Sequence, residues 1–146
     1  MTEIEFHFNV SDKLEYGCRL LRKVYRSGMQ AVVTGEPAVL AELDDLLWRI
    51  APSEFVPHCM VKANERNVAH TPLLLSEQPG DCSQSRVLIN FGPVIPLNFE
   101  RFERFIEVVT NQDEDRIEGR NRWKHYKDRG YALRQHDLSA APRDTA

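Results

Sequence analysis

Cationic and aromatic side chains on the last predicted helix of this sequence could bind an anionic ligand. At 100° per residue, a helix that begins at Asp113 or Asp115 places five of them within roughly 100° of arc. Guanidinium groups bind carboxylates, and an indole accepts an aromatic or apolar group. The stripe could equally bind a phosphate backbone with a base stacked on the indole, or be a solvated helix face. The pattern favours a binding site for an acidic peptide or a nucleic acid, formed by Arg116, Arg120, Trp123, Lys124 and Lys127.

A tryptophan also breaks the apolar pattern of an earlier predicted helix. Between Pro37 and about Ile50 the apolar residues gather on one side, and Trp48 falls nearly opposite them. Phe55 and Pro57 follow in the segment SEFVPH. An exposed indole followed by another aromatic residue is typical of a protein interface, and a covering loop of the same chain is the alternative.

Motifs of catalysis and of nucleotide binding are missing from the sequence. The first strand-to-helix turn, NVSDKLEYG, lacks the pattern GxGxxG, and neither GxxxxGK[ST] nor GxSxG occurs. Apart from the adjacent His58 and Cys59, the cysteines and histidines show no metal-ligand spacing. We therefore expect a protein that is not an enzyme and that has no cofactor and no metal site.

The charge distribution indicates an anionic partner at one place. Between Arg116 and Arg134 stand seven basic and two acidic residues, whereas the rest of the chain holds twelve basic and twenty acidic residues. A body of net charge −8 repels a long polyanion, while a short acidic peptide needs only the local charge of +5.

Length and composition predict one folded domain in the cytoplasm. The chain has 146 residues, of which 42% are hydrophobic and 28% are charged. No apolar run approaches the ~20 residues of a membrane span, and the acidic, alternating start MTEIEFHFNV is not a signal peptide. An odd number of cysteines without paired spacing is typical of a reducing compartment.

Strands and helices alternate along the sequence, which predicts an α/β fold with a mostly parallel sheet flanked by helices and no nucleotide-binding loop. Residues 1–137 form the predicted domain, and the polar segment 138–146 is a predicted mobile tail. The segment after Pro52 is predicted to be a loop or a short strand. Strands are predicted at Ile4–Val10, Gln30–Thr34, Leu73–Leu75, Arg86–Phe91 and Phe105–Val109. Helices are predicted from a cap at Ser11 or Asp12 to Gly28, from Pro37 to about Ile50, briefly after Asn98, and from Asp113 or Asp115 to Gly130.

Several segments resemble the chi subunit family of bacterial DNA polymerase III. They are LEYGCRLLRKVYRSGMQAVV (14–33), FVPH (55–58), VLIN (87–90), RFIEVV (104–109) and RNRWKHYKDRGYALRQHD (120–137). Their order and spacing agree with that family over nearly the whole chain to Asp137. The resemblance implies a Rossmann-like fold without a nucleotide site and a non-enzymatic accessory role in replication.

The resemblance also implies two partners. Family members pair with the psi subunit, which tethers them to the clamp loader, and bind the acidic C-terminal tail of single-stranded DNA-binding protein, which ends in proline and phenylalanine. Trp48 and Phe55, with Pro57 beside them, match the psi contact.

The positions that match the family's tail pocket lie on the last helix, at Arg116, Arg120, Trp123 and Lys124. On this stripe we expect Arg120 and Lys124 to hold the terminal carboxylate, and Arg116 and Lys127 to meet upstream aspartates. A direct nucleic-acid-binding protein that uses the basic helix is the main alternative, and a degenerate nucleotide-binding enzyme is a third possibility.

Overall fold

The fold was obtained as a computed structural model, which describes residues 2–49, 58–61, 73–77 and 86–138. Helices and strands alternate in it as predicted. In chain order the elements are β1 Glu3–Val10, α1 Lys13–Arg26, β2 Ala31–Thr34, α2 Pro37–Arg49, β3 His58–Val61, β4 Leu73–Ser76, β5 Val87–Asn90, β6 Arg104–Thr110, α3 Asp113–Asp128 and β7 Leu133–Asp137.

The strands form one sheet in the order β3-β4-β2-β5-β6-β1-β7. Each described pair of neighbouring strands is parallel, so the predicted mostly parallel α/β fold is confirmed. β1 lies between β6 and β7, with Ile4 opposite Phe105 on one side and Leu133 on the other. No helix within the described ranges is long and apolar enough to cross a membrane.

Alternating residues of the strands build two apolar layers, one on each face of the sheet. Val33 and Val108 pack with α1 and α2 on one face. Val32 and Phe105 pack on the other face, in a layer that includes Tyr126 of α3. A strand covered on both faces buries successive residues, which explains the unbroken apolar runs of β2, β4 and β5.

Local capping fixes where α1 begins and ends. The Asp12 carboxylate accepts a hydrogen bond from the backbone N–H of Glu15 at 3.1 Å, which satisfies a donor that the first turn leaves open. Gly28 follows the helix at a φ of +81°, a conformation that glycine adopts without a steric cost. Both ends agree with the prediction from the sequence.

The main difference from the predicted elements is β7, which the sequence did not indicate. LRQHD contains one apolar residue and is largely exposed, so no alternating pattern marks it as a strand. It forms because β1 offers an open edge of backbone donors and acceptors, with which β7 pairs over five residues.

Smaller corrections concern the ends of other elements. The brief helix predicted after Asn98 is a three-residue 3-10 turn, Phe99–Arg101, and the Asn98 side chain makes no capping bond. Leu138, the first residue of the predicted tail, donates its N–H to the Phe8 carbonyl and packs against the core. Residues 139–146 lie outside the described residues.

Candidate functional groove

The position of α3 against the sheet decides which of its side chains reach solvent. Gly119, Arg122 and Tyr126 are buried and face the sheet. Arg116 and Arg120 stand one turn apart and are exposed, while Trp123 is half-buried at the boundary. The predicted stripe of cations is therefore a flank of the helix rather than its outermost face.

Gly119 allows α3 to approach β6 closely. A Cβ atom at this position would lie 2.9 Å from Val109 Cγ1 and 3.0 Å from Cγ2, well inside ordinary contact distance. Because glycine has no Cβ, the helix can lie low on the strand. Arg120 and Trp123 therefore lie close to the neighbouring strands.

A groove of about 300 Å³ lies between α3 and strands β1 and β7. Its floor is aromatic, because Trp123 stands edge-on to Phe6 with ring centroids 5.1 Å apart. The cationic part of its rim comes from α3. The full lining is Phe6, Phe8, Asn9, Val109, Arg116, Gly119, Arg120, Trp123 and Gln135.

The end of β1 is irregular at Asn9. This residue has a φ of +61°, and the register of β1 against β6 shifts between His7 and Val10. Asparagine tolerates this left-handed conformation better than most residues. Its side-chain amide donates to Asp137 Oδ1 at 2.9 Å, which ties the end of β7 to the end of β1.

The two arginines at the groove have no carboxylate partner among the described residues. Arg104 and Arg122, by contrast, each form an ion pair with a buried glutamate. Arg116 and Arg120 take part in no ion pair or side-chain hydrogen bond with another described residue. Two unpaired guanidinium groups beside an apolar groove can bind a carboxylate while an apolar group enters the groove.

The fold brings only part of the predicted stripe together. Arg116, Arg120 and Trp123 all line the groove, whereas Lys124 and Lys127 are exposed on α3 outside the lining. Arg122, counted in the basic segment of the sequence, is 3% exposed and contributes no charge to this surface. The accessible positive charge is thus smaller than the sequence count indicates.

Arg122 instead belongs to a buried polar network that fixes α3 on the sheet. Its Nε donates to Glu107 Oε2 at 3.1 Å, and the hydroxyl of Tyr126 donates to the same oxygen at 2.6 Å. The Asn90 amide donates to Glu107 Oε1 at 3.0 Å. Burial raises the pKa of Glu107 and outweighs the opposing effect of these donors.

Comparison with known proteins identifies the family. The family model of the DNA polymerase III chi subunit, HolC, matches residues 1–134. The chain belongs to the chi subunit family of DNA polymerase III. A chi subunit of Pseudomonas aeruginosa is 32% identical over 143 residues, which cover 94% of this chain and 98% of that protein. A chi subunit of Haemophilus influenzae is 31% identical over 121 residues, or 82% of this chain and 83% of that protein.

Family membership confirms the resemblance seen in the sequence and gives the general role. A chi subunit is an accessory subunit of the replicative polymerase, and it belongs to a multi-subunit complex.

The second predicted site of this chi family member is only partly described. Trp48 lies near the end of α2, and 55% of its surface is exposed. Phe55 and Pro57 lie outside the described residues. Because α2 packs on the α1 face of the sheet, Trp48 and the groove lie on opposite faces.

Sequence reasoning missed the groove residues that lie outside α3. Phe6 and Phe8 were assigned to the core by their alternation, and Gln135 lies in the unpredicted strand β7. Gly119 did carry a signal, since a glycine inside a helix costs about 1 kcal/mol relative to alanine and therefore indicates a close approach.

Proposed function

We propose that this chi family member is a non-catalytic cytoplasmic adaptor that joins the acidic C-terminal tail of single-stranded DNA-binding protein to the clamp loader through the psi subunit. The observation that carries the proposal is the groove in which Arg116 and Arg120 border an apolar floor around Trp123, with no ion-pair partner for either arginine in the described part of the chain. A tail that ends in phenylalanine offers the complementary groups, a carboxylate and a ring next to each other.

In this proposal, the terminal ring and the terminal carboxylate of the tail bind different residues of the groove. The terminal ring enters between Trp123, Phe6 and Val109, in a volume at the lower end of the range for ligand pockets. Arg120 and Arg116 hold the terminal carboxylate at the rim. Lys124 and Lys127 lie outside the lining, so they attract upstream aspartates at longer range.

The charges around α3 favour a short peptide over a nucleic acid. The first turn of α3 carries Asp113, Glu114 and Asp115, close in sequence to Arg116, and this acidic group repels an extended polyanion. The burial of Arg122 removes a further cation from the surface. Affinity for a nucleic acid comes largely from cations that neutralise phosphates, and the groove supplies two cations.

The turn between β1 and α1 also argues against a nucleotide site. At the start of α1, where a phosphate would need free N–H donors, Asp12 already accepts the N–H of Glu15. The Lys13 ammonium donates to the Phe91 carbonyl and lies 3.4 Å from Asp115, so it also has partners.

The exposure of Trp48 supports the proposed binding to the psi subunit. A half-exposed indole at the end of a helix supplies a large rigid contact area at low entropic cost, as interface anchors do. Replacing it with alanine is expected to weaken psi binding by about 2 kcal/mol, or roughly thirty-fold, and to leave tail binding unchanged.

The decisive experiment titrates the protein with the tail peptide and, at matched salt, with a single-stranded oligonucleotide. Arg120→Ala removes an exposed cation of the groove and is expected to weaken tail binding at least ten-fold without unfolding the protein. Lys127→Ala makes the same change of charge on the same helix outside the groove, and should weaken binding much less. A peptide without its terminal phenylalanine should not bind measurably.

Trp123→Ala needs a stability control, because this indole also packs against Phe6 in the core. Its binding loss counts only if thermal denaturation shows a folded protein at the assay temperature. Wild-type affinity in both Arg120→Ala and folded Trp123→Ala would place the tail site elsewhere. Tighter binding of the oligonucleotide than of the peptide would favour the nucleic-acid alternative.

A further inference from the structure

A cluster of metal-ligating side chains lies on the opposite face of the sheet from the groove. Glu5 and His7 of β1 point to the face covered by α1, and His136 of β7 stands opposite His7 in the strand register. Parallel pairing of the two strands therefore brings His136 next to two residues that are distant from it in sequence. The adaptor role proposed above does not involve them.

The distances within the cluster fit a first-row divalent cation. Glu5 Oε1 lies 3.5 Å from His7 Nε2 and 3.3 Å from His136 Nε2. Ligands that bind Zn²⁺ tetrahedrally at ~2.0–2.1 Å are separated from one another by about 3.3 Å. The three ligand atoms lie within 4.8 Å of one another.

Neighbouring groups hold the buried ligands in the orientation that a metal needs. The Arg104 guanidinium donates to Glu5 Oε2 at 2.6 Å, which leaves Oε1 directed at the two imidazoles. The Tyr16 hydroxyl hydrogen bonds to His7 Nδ1. With the proton on Nδ1, His7 Nε2 presents its lone pair to the cluster, as metal-bound histidines do.

We propose that Glu5, His7 and His136 form a binding site for one divalent transition-metal cation of the zinc class. Two imidazoles and one carboxylate are ligands that Zn²⁺ and its neighbours prefer, whereas Mg²⁺ and Ca²⁺ require oxygen ligands. Water completes the coordination. The cation enters past His136, whose side chain is 51% exposed.

The bound cation connects the edge strand β7 to β1. Among the strands that the structure describes, β7 pairs only with β1, and four of its five residues are exposed. A cation held by Glu5 and His7 on one strand and by His136 on the other adds a link that the unfolded chain lacks, so it stabilises the folded state. The nearby Arg104 cation weakens the site, and we therefore expect micromolar affinity rather than the tighter binding of four-ligand zinc sites.

The test measures Zn²⁺ and Co²⁺ binding to the full chain by calorimetry and visible absorption. We expect one equivalent of Co²⁺ to produce absorption bands typical of tetrahedral coordination, and Zn²⁺ to displace it. Zn²⁺ at one hundred times its Kd should raise the Tm by about 5–10 °C, while Mg²⁺ at the same concentration should not.

Histidine variants assign the site, because the chain has other histidines and cysteines whose side chains are potential metal ligands. His136→Gln changes an exposed side chain, and should abolish the Co²⁺ bands and the Tm increase. His125→Gln removes a histidine of α3 outside the cluster, and should retain both. Equal metal binding by His136→Gln and the wild type would overturn the proposal, as would an absence of saturable binding to the wild type below about 100 µM Zn²⁺.

Discussion

At the scale of single residues, the groove depends on Gly119, which has no Cβ atom. Gly119→Ala would add a Cβ 2.9 Å from Val109 Cγ1 and push α3 away from β6. The overpacking costs ~1–3 kcal/mol, against a helix-propensity gain of about 1 kcal/mol. We expect a net loss of up to about 2 kcal/mol in the free energy of unfolding, measured by urea denaturation, together with weaker tail binding.

Asn121→Ala is the matched control for Gly119→Ala, because this residue lies two positions further along α3 and is exposed. Its replacement should leave stability unchanged or raise it by less than about 0.5 kcal/mol. A Gly119→Ala protein as stable as wild type, with full tail affinity, would contradict the role given to this close approach.

At the scale of elements, the buried Glu107 network attaches α3 to the sheet. Glu107→Ala removes the buried carboxylate that accepts from Arg122, Tyr126 and Asn90. Arg122 and Asn90 each keep one backbone carbonyl acceptor. Loss of one partner of a buried ion pair costs about 3–5 kcal/mol. Glu103→Ala removes an exposed carboxylate 3.5 Å from Arg86, and should cost less than about 1 kcal/mol in the same denaturation experiment.

The start of α3 is held by Asp115, and this contact gives a pH dependence. Burial opposes ionisation of Asp115, but hydrogen bonds from the N–H and hydroxyl of Thr110, together with the Lys13 ammonium, outweigh it and lower its pKa. A carboxyl with a lowered pKa stabilises the fold above its usual pKa of 3.8, and this stabilisation is lost as pH falls through the folded-state value. Asp115→Asn should therefore cost about 1–2 kcal/mol at pH 7 and progressively less below about pH 4.

Asp128→Asn is the control for that titration, since Asp128 is the exposed last residue of α3. Its effect on the free energy of unfolding should stay within about 0.5 kcal/mol at pH 7 and at about pH 3. An Asp115→Asn effect that does not decrease between pH 7 and pH 3 would contradict the assigned hydrogen bonds.

At the scale of the whole molecule, Trp48 of the proposed psi surface and the groove lie on opposite faces of the sheet. Trp48 belongs to the layer of α1 and α2, and the groove belongs to the layer of α3. We expect the tail peptide to bind with the same affinity, within two-fold, whether or not psi is present at saturation. In Trp48→Ala/Arg120→Ala the loss of psi binding and the loss of tail binding should each equal that of the corresponding single variant within about 0.5 kcal/mol. Mutually exclusive binding of the two partners would contradict this arrangement.

The amino-acid sequence by itself determined the α/β class, most elements and three of the groove residues. Arg116, Arg120 and Trp123 could be grouped because a helix repeats every 3.6 residues, so their relation is local. β1, α1 and α2 were predicted for the same reason, since alternation, capping residues and apolar stripes are properties of short segments.

Only the tertiary structure decided which side chains of other elements line the groove together with those of α3. Phe6, Phe8 and Gln135 come from strands more than a hundred residues apart in sequence, and they meet because β7 pairs with the edge of β1. The same pairing places His136 beside His7 and Glu5. The burial of Arg122 could not be predicted either, because its partner Glu107 lies on another element. Local periodicity fixes the direction of a side chain on its own element, whereas strand pairing and packing between elements decide what that side chain meets.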